Sequence, residues 1–141
     1  MEFTKVKKTI NLWAPVFVWA LFIFSFSSLP ANPVTEIHWK DFLFKKSLHI
    51  TFYGILTVLI YRSFRQSKVA KKTAAVYSVL FTILYGVSDE FHQSLTPGRD
   101  PQMRDVIFDT LGSVLTVYLL WKVLPKMHPK IRKLAKNFQL E

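Results

Sequence analysis

Four long apolar stretches, separated by segments that hold most of the charges, limit what this chain can fold into more than any other feature. They cover residues 12–29, 47–61, 73–88 and 106–124. The first and third carry no charge, the second carries His49, and the fourth carries Asp109 and Lys122. A spanning helix needs about 20 residues at about 1.5 Å each, so these stretches are short but workable if flanking Lys and Arg snorkel. Their apolar residues lie all around each segment rather than along one stripe, which suits helices facing lipid. A bundle folded in water would need polar outer faces that these segments lack. The expectation is an all-α, integral membrane four-helix bundle.

Charge then orients the bundle. The chain carries 19 Lys and Arg against 9 Asp and Glu. Lys5, Lys7 and Lys8 precede the first stretch, and Arg62, Arg65, Lys68, Lys71 and Lys72 follow the second. Lys122, Lys126, Lys130, Arg132, Lys133 and Lys136 follow the fourth, leaving only Lys40, Lys45, Lys46, Arg99 and Arg104 for the other two loops. By the positive-inside rule both termini and the middle loop are cytoplasmic, and the loops at residues 30–46 and 89–105 face outward. The net charge of +10 therefore reads as topology and attraction to anionic lipid, with no nucleic-acid partner. With no cysteine, disulfides, thiolate metal ligands and thiol nucleophiles are excluded.

Residues 1–11 read as a basic cytoplasmic tail, 12–124 as the four-span domain and 125–141 as a second basic tail. Lys5 to Lys8 before an apolar run resemble a signal peptide, but the run is long and Ser25-Phe26-Ser27 is a poor cleavage site, so retention is expected. In the last segment Ile131, Leu134, Ala135 and Phe138 share one helical face, a pattern that suits a helix lying on the inner leaflet. Tyr53, Tyr61, Tyr77, Tyr85 and the four Trp are expected to include interfacial anchors.

Polar groups at the edge of a membrane are costly, and here they gather at one end of each span. The first span ends in Ser25, Ser27 and Ser28. The second begins with Lys46, His49 and Tyr53, three and then four residues apart and so on one face. In the third, Tyr85, Asp89 and His92 share one face, and Gly86, Glu90 and Gln93 another. The fourth opens with Asp105, Asp109 and Gly112 on a single face. Antiparallel packing places all these ends together, with the loop at residues 96–101, where Pro97-Gly98 reads as a turn.

Several chemistries are open to such a cluster. His49 and His92 beside carboxylates could serve acid–base catalysis. The same groups have the donor chemistry for a divalent ion, but no short ligand motif appears and no metal is assigned. Lys46, Arg99 and Arg104 could hold a phosphate or carboxylate. They could equally neutralise Asp89, Asp105 or Asp109 in pairs that lock the helices. The serines suit helix packing better than nucleophilic attack.

The motif Tyr85-Gly86-x-x-Asp89-Glu90-x-His92-Gln93-x-x-x-Pro97-Gly98-Arg99, continuing to Asp105, Asp109 and Gly112, resembles the VanZ-like membrane proteins, as do residues 24–30 and Lys46-x-x-His49-x-x-x-Tyr53. The likeness covers residues 12–120. Lys45 stands where the family often has Asp, and Asp109 where many relatives carry Asn. The resemblance implies a small multi-pass protein of the bacterial cell membrane, linked to reduced susceptibility to teicoplanin-type glycopeptides. It identifies no cofactor and no oligomeric state.

Two functions follow as expectations. In the first, an outward-facing site binds a lipid-linked phosphate or glycan headgroup through Lys46, Tyr53, Glu90, Gln93, Arg99, Arg104, Asp105 and Asp109. In the second, a membrane enzyme hydrolyses or transfers a phosphate headgroup, with His92 or His49 as acid or base and Asp89 orienting it.

Overall fold

A computed structural model describes residues 2–30, 35–99 and 101–140, without the side chains of residues 2–5 and 8. Lys5, Lys8 and Asp100 of the sequence reading therefore lie outside the described side chains. The fold is all-α: α1 (Glu2–Ser27), α2 (His38–Gln66), α3 (Lys71–Ser94), α4 (Met103–Tyr118) and α5 (Pro129–Asn137). Among the described residues, four helical segments are long and apolar enough to cross a membrane. Their outer faces expose Phe17, Leu21, Leu80, Leu84, Ile107 and Leu111, surface that water would not tolerate and hydrocarbon would.

Helix limits depart from the apolar stretches in two places. With 29 residues, α2 is about 43 Å long against a hydrocarbon core of about 30 Å. Its first turns, with Lys40, Asp41 and Lys45, thus extend beyond the apolar run, and Asp41 pairs with Lys45 at 2.8 Å. The fourth span is a regular α-helix only to Tyr118, then winds through a π turn (Leu119–Val123) and a 3-10 turn (Leu124–Lys126), ahead of α5. Pro125 accounts for the break, because it has no N–H to continue the ladder.

Helix ends follow from local chemistry. After α2, Lys68 takes φ 66° while Val69 N–H reaches back to Phe64 O at 3.1 Å, a left-handed cap made without glycine. After α3, Thr96-Pro97-Gly98-Arg99 forms a turn in which Gly98 has φ 79° and Arg99 N–H donates to Thr96 O at 3.2 Å. Proline presets the second position and glycine supplies the positive φ at the third. This turn aims Arg99 back at α1.

Helix α2 is the central element, packed against α4, α3 and α1. Tyr53 and Tyr61 are 2% and 1% exposed, so they belong to the core and are not among the interfacial anchors expected from sequence. Where α2, α3 and α4 cross, the contact is small and polar. Thr57 Oγ1 lies 3.0 Å from Thr82 Oγ1 and 2.9 Å from Ser113 Oγ, and all three residues are fully buried. In hydrocarbon there is no hydrophobic drive between helices, so close contact and such hydrogen bonds do the joining. Thr57→Val is expected to lower stability by about 1 kcal/mol, read from thermal unfolding in detergent; an unchanged midpoint would leave the triad without energetic weight.

Helix α1 is attached by hydrogen bonds to main-chain carbonyls. Trp19 Nε1 donates to Phe52 O at 2.9 Å and Tyr85 O–H to Ala20 O at 2.5 Å. Ser63 O–H donates to Leu12 O at 2.7 Å, one turn before Pro15, where the proline ring disturbs the intrahelical ladder. At the far end α5 is tied to α2 through Gln139, which accepts from Arg62 at 3.0 Å and Gln66 at 3.3 Å. Its Ala135 is buried, while Ile131, Leu134 and Phe138 are exposed.

Candidate functional site

The end of α1, the start of α2, the end of α3 and the start of α4 meet with the Thr96–Arg99 turn around a cavity of about 410 Å³. Its inner wall comes from Lys46, His49, Tyr53, Asp89, Gln93 and Asp105, and Arg99 and Gln102 close it from the loop. Its other wall is apolar, from Ile23, Phe26, Leu29, Phe44, Leu48 and Phe52.

The three α2 residues spaced three and four apart each meet a carboxylate on another helix. Lys46 Nζ pairs with Asp105; both residues are buried, and the ammonium also lies over the Phe42 and Phe108 rings at 5.4 and 5.6 Å. His49 Nδ1 sits 2.8 Å from Asp109 Oδ1 and its Nε2 3.5 Å from Asp105 Oδ2. Tyr53 O–H donates to Asp89 Oδ2 at 3.1 Å, and Gln93 Nε2 donates to the same oxygen at 3.0 Å. The i, i+4 pair Asp105 and Asp109 thus clasps one imidazole. That register depends on Gly112, whose absent side chain allows α4 to lie against the Ile50 backbone.

Several buried polar atoms have no partner among the described residues: Asp89 Oδ1, Glu90 Oε1, Asp109 Oδ2, Ser27 Oγ and Arg99 Nε. A buried orphan costs about 1–3 kcal/mol; three of these, on Ser27, Asp89 and Arg99, belong to residues that line the cavity, as groups awaiting a ligand or water would. Arg99 donates through NH2 to Phe26 O at 2.8 Å. Burial lowers its pKa from the usual value, while Asp89 and Glu90 act the other way. Glu90 Oε2 accepts from Gln102 N–H at 2.6 Å, which anchors the loop ahead of α4.

Four expected members are outside the cavity lining: Glu90 and Asp109, which bond to the lining residues Gln102 and His49, and His92 and Arg104, which stand elsewhere. His92 shares a hydrogen bond of 2.9 Å with Ser28 Oγ and stacks on Phe24 at 4.1 Å; it faces α1, and Asp89 does not orient it. Arg104 is exposed, donates to Gln102 Oε1 at 2.5 Å and lies 5.8 Å over the Phe42 ring, outside the cavity lining. Of the three cations expected to hold an anion, Lys46 and Arg99 line the cavity and Arg104 does not. Sequence reasoning missed Gln102 and the apolar wall. For Gln102 its place just ahead of the fourth span was the available signal; the phenylalanines read only as lipid-facing.

Among the described residues no group of three or more His, Asp or Glu side chains has the geometry to hold a metal ion. Comparison with curated proteins and with solved structures finds no match for this chain. The VanZ/LLP1 family model matches residues 3–125, a range that holds all four spans' contributions to the cavity. The chain is a multi-pass membrane protein and belongs to the VanZ/LLP1 family.

Proposed function

We propose that this protein binds the phosphate-bearing headgroup of a membrane lipid in the cavity between α1 and α2. The observation that carries the reading is that Arg99, whose buried Nε has no partner among the described residues, lines the same cavity as Lys46. An ammonium has three donors, so the Asp105 pair leaves Lys46 with donors for a phosphate oxygen, and a guanidinium is shaped for one. Asp89 Oδ1, also unpartnered among the described residues, would accept from a hydroxyl of a glycerol or sugar on the same headgroup. The excess of Lys and Arg at the opposite end of the bundle supports an extracytoplasmic site. Altering a lipid-linked headgroup's availability there would account for the link between VanZ-like proteins and teicoplanin susceptibility.

Titration of the purified protein with a polyprenyl phosphate tests this. Arg99→Ala should weaken binding about tenfold or more, since a charge-assisted hydrogen bond contributes about 1.5–3 kcal/mol. Equal affinity in the variant would remove the reading. Because the chain has no cysteine, a single Thr96→Cys labelled by an impermeant maleimide on intact cells reports the side directly.

The His49–Asp109 pair favours a second reading, hydrolysis of that headgroup. Asp109 would hold the Nδ1 proton, and Nε2, beside Asp105 Oδ2, would accept a proton from attacking water and pass it to the departing lipid oxygen as the lipid–phosphate bond breaks. In that case His49→Ala abolishes phosphate release and leaves binding intact, whereas His92→Ala reduces release far less. Phosphate release that survives His49→Ala would exclude this role.

A further inference from the structure

The cavity is exposed and apolar on one side and buried and charged on the other. Of its lining residues, Asp89, Asp105, Gln93 and Lys46 are each under 9% exposed. The most open of the lining residues are apolar, Phe26 at 43%, Leu29 at 56% and Phe44 at 47%, with Pro30 also exposed and Lys45, Arg99 and Gln102 half-buried. A site filled from water would carry its polar groups at the mouth and its apolar groups at the base. Here the order is reversed, and the exposed side lies between the end of α1 and the first turns of α2. At this edge Phe22, Phe26 and Phe52 form an edge-to-face and stacked cluster with centroids 5.4 to 6.2 Å apart, an apolar surface that Phe26 and Phe52 continue into the cavity lining. Helix α1 makes no close approach to α4 among the described residues, so α2 alone forms the opposite edge.

We infer that the gap between α1 and α2 is a lateral portal, in which Phe26, Phe44 and Leu48 hold the hydrocarbon chain of the ligand while its headgroup reaches Arg99 and Lys46. The inference rests on the headgroup reading and narrows its ligand to amphiphiles that enter from the bilayer. The headgroup enters first and the chain trails over the aromatic cluster into lipid, so the alkyl tail need not leave hydrocarbon when the ligand binds. A water-soluble headgroup meets the same cations but gains nothing from the portal. Preference for a long chain over a short one is therefore set by these three side chains.

The experiment compares dodecyl phosphate with ethyl phosphate as probes of the purified protein in one detergent. Micelle partitioning favours dodecyl phosphate for every variant, so the informative quantity is the change in preference on substitution. Phe44→Ser and Phe26→Ser should each weaken dodecyl phosphate about tenfold, the equivalent of about 1.4 kcal/mol of lost contact, with ethyl phosphate unchanged. Arg99→Ala should weaken both probes. An unaltered chain-length preference in both serine variants, or an equal loss for both probes, overturns the portal while leaving the headgroup site standing. If the unmutated protein binds neither probe, the headgroup reading falls and the portal falls with it. Thermal midpoints of the serine variants, expected to match the parent, separate lost contact from lost fold.

Discussion

Gly112→Ala is expected to lower stability by about 2–3 kcal/mol and to abolish ligand binding, although it adds one methyl group. A Cβ at this position would meet the Ile50 backbone on α2, 2.8 Å from its Cα and 3.0 Å from its carbonyl carbon. Backbone cannot rotate aside, so α4 must move away from α2. The consequence for the site is direct, because His49 precedes Ile50 on α2 and Asp109 lies three residues before Gly112 on α4. Separation of the two helices lengthens the 2.8 Å His49–Asp109 contact and the Lys46–Asp105 pair together. Gly54 provides the contrast: a Cβ there approaches Thr116 Oγ1 at 2.8 Å, a side-chain atom that can turn. Gly54→Ala should therefore cost under about 1 kcal/mol and retain binding. Unfolding midpoints and phosphate titrations on the two variants decide the matter, and equal effects would show that helix approach at Gly112 does not govern the site.

The difference between these glycines is not readable from sequence, whereas much else is. The four spans are legible because hydrocarbon demands uninterrupted apolar runs. The start of α2 is not, since Lys46 ends the apolar run while the helix itself continues to His38, with Asp41 and Lys45 in a region where water can solvate them. Periodicity places Lys46, His49 and Tyr53 on one face, and all three do meet carboxylates of α3 or α4. It also groups Asp89 with His92, and there it misleads. Three residues advance about 300° around a helix at 3.6 residues per turn, so His92 stands about 60° to one side of Asp89, enough to face Ser28 on α1. Gln93, four residues on, falls about 40° to the other side and joins Asp89. Which neighbour lies on each side is a property of packing, and a helical wheel does not contain it.

Lys46 bears on both stability and binding, and one set of variants separates the two. Lys46→Ala leaves Asp105, which is 8% exposed, as a buried carboxylate without its cation. Breaking such a pair from one side costs about 3–5 kcal/mol, whereas replacing both partners by apolar side chains of similar volume is neutral or stabilising. The double variant Lys46→Met with Asp105→Leu should therefore recover most of the stability that Lys46→Ala loses, helped by the Phe42 and Phe108 rings already flanking the ammonium. It should not recover binding, because the cavity then keeps Arg99 as a cation without Lys46 beside it. A pair that existed only to join α2 to α4 would behave differently: the double variant would be stable and would bind an alkyl phosphate as the parent does. That outcome would remove Lys46 from the proposed headgroup site. A double variant no more stable than the single one would instead show that Asp105 is supported by His49 Nε2, 3.5 Å away, more than by Lys46.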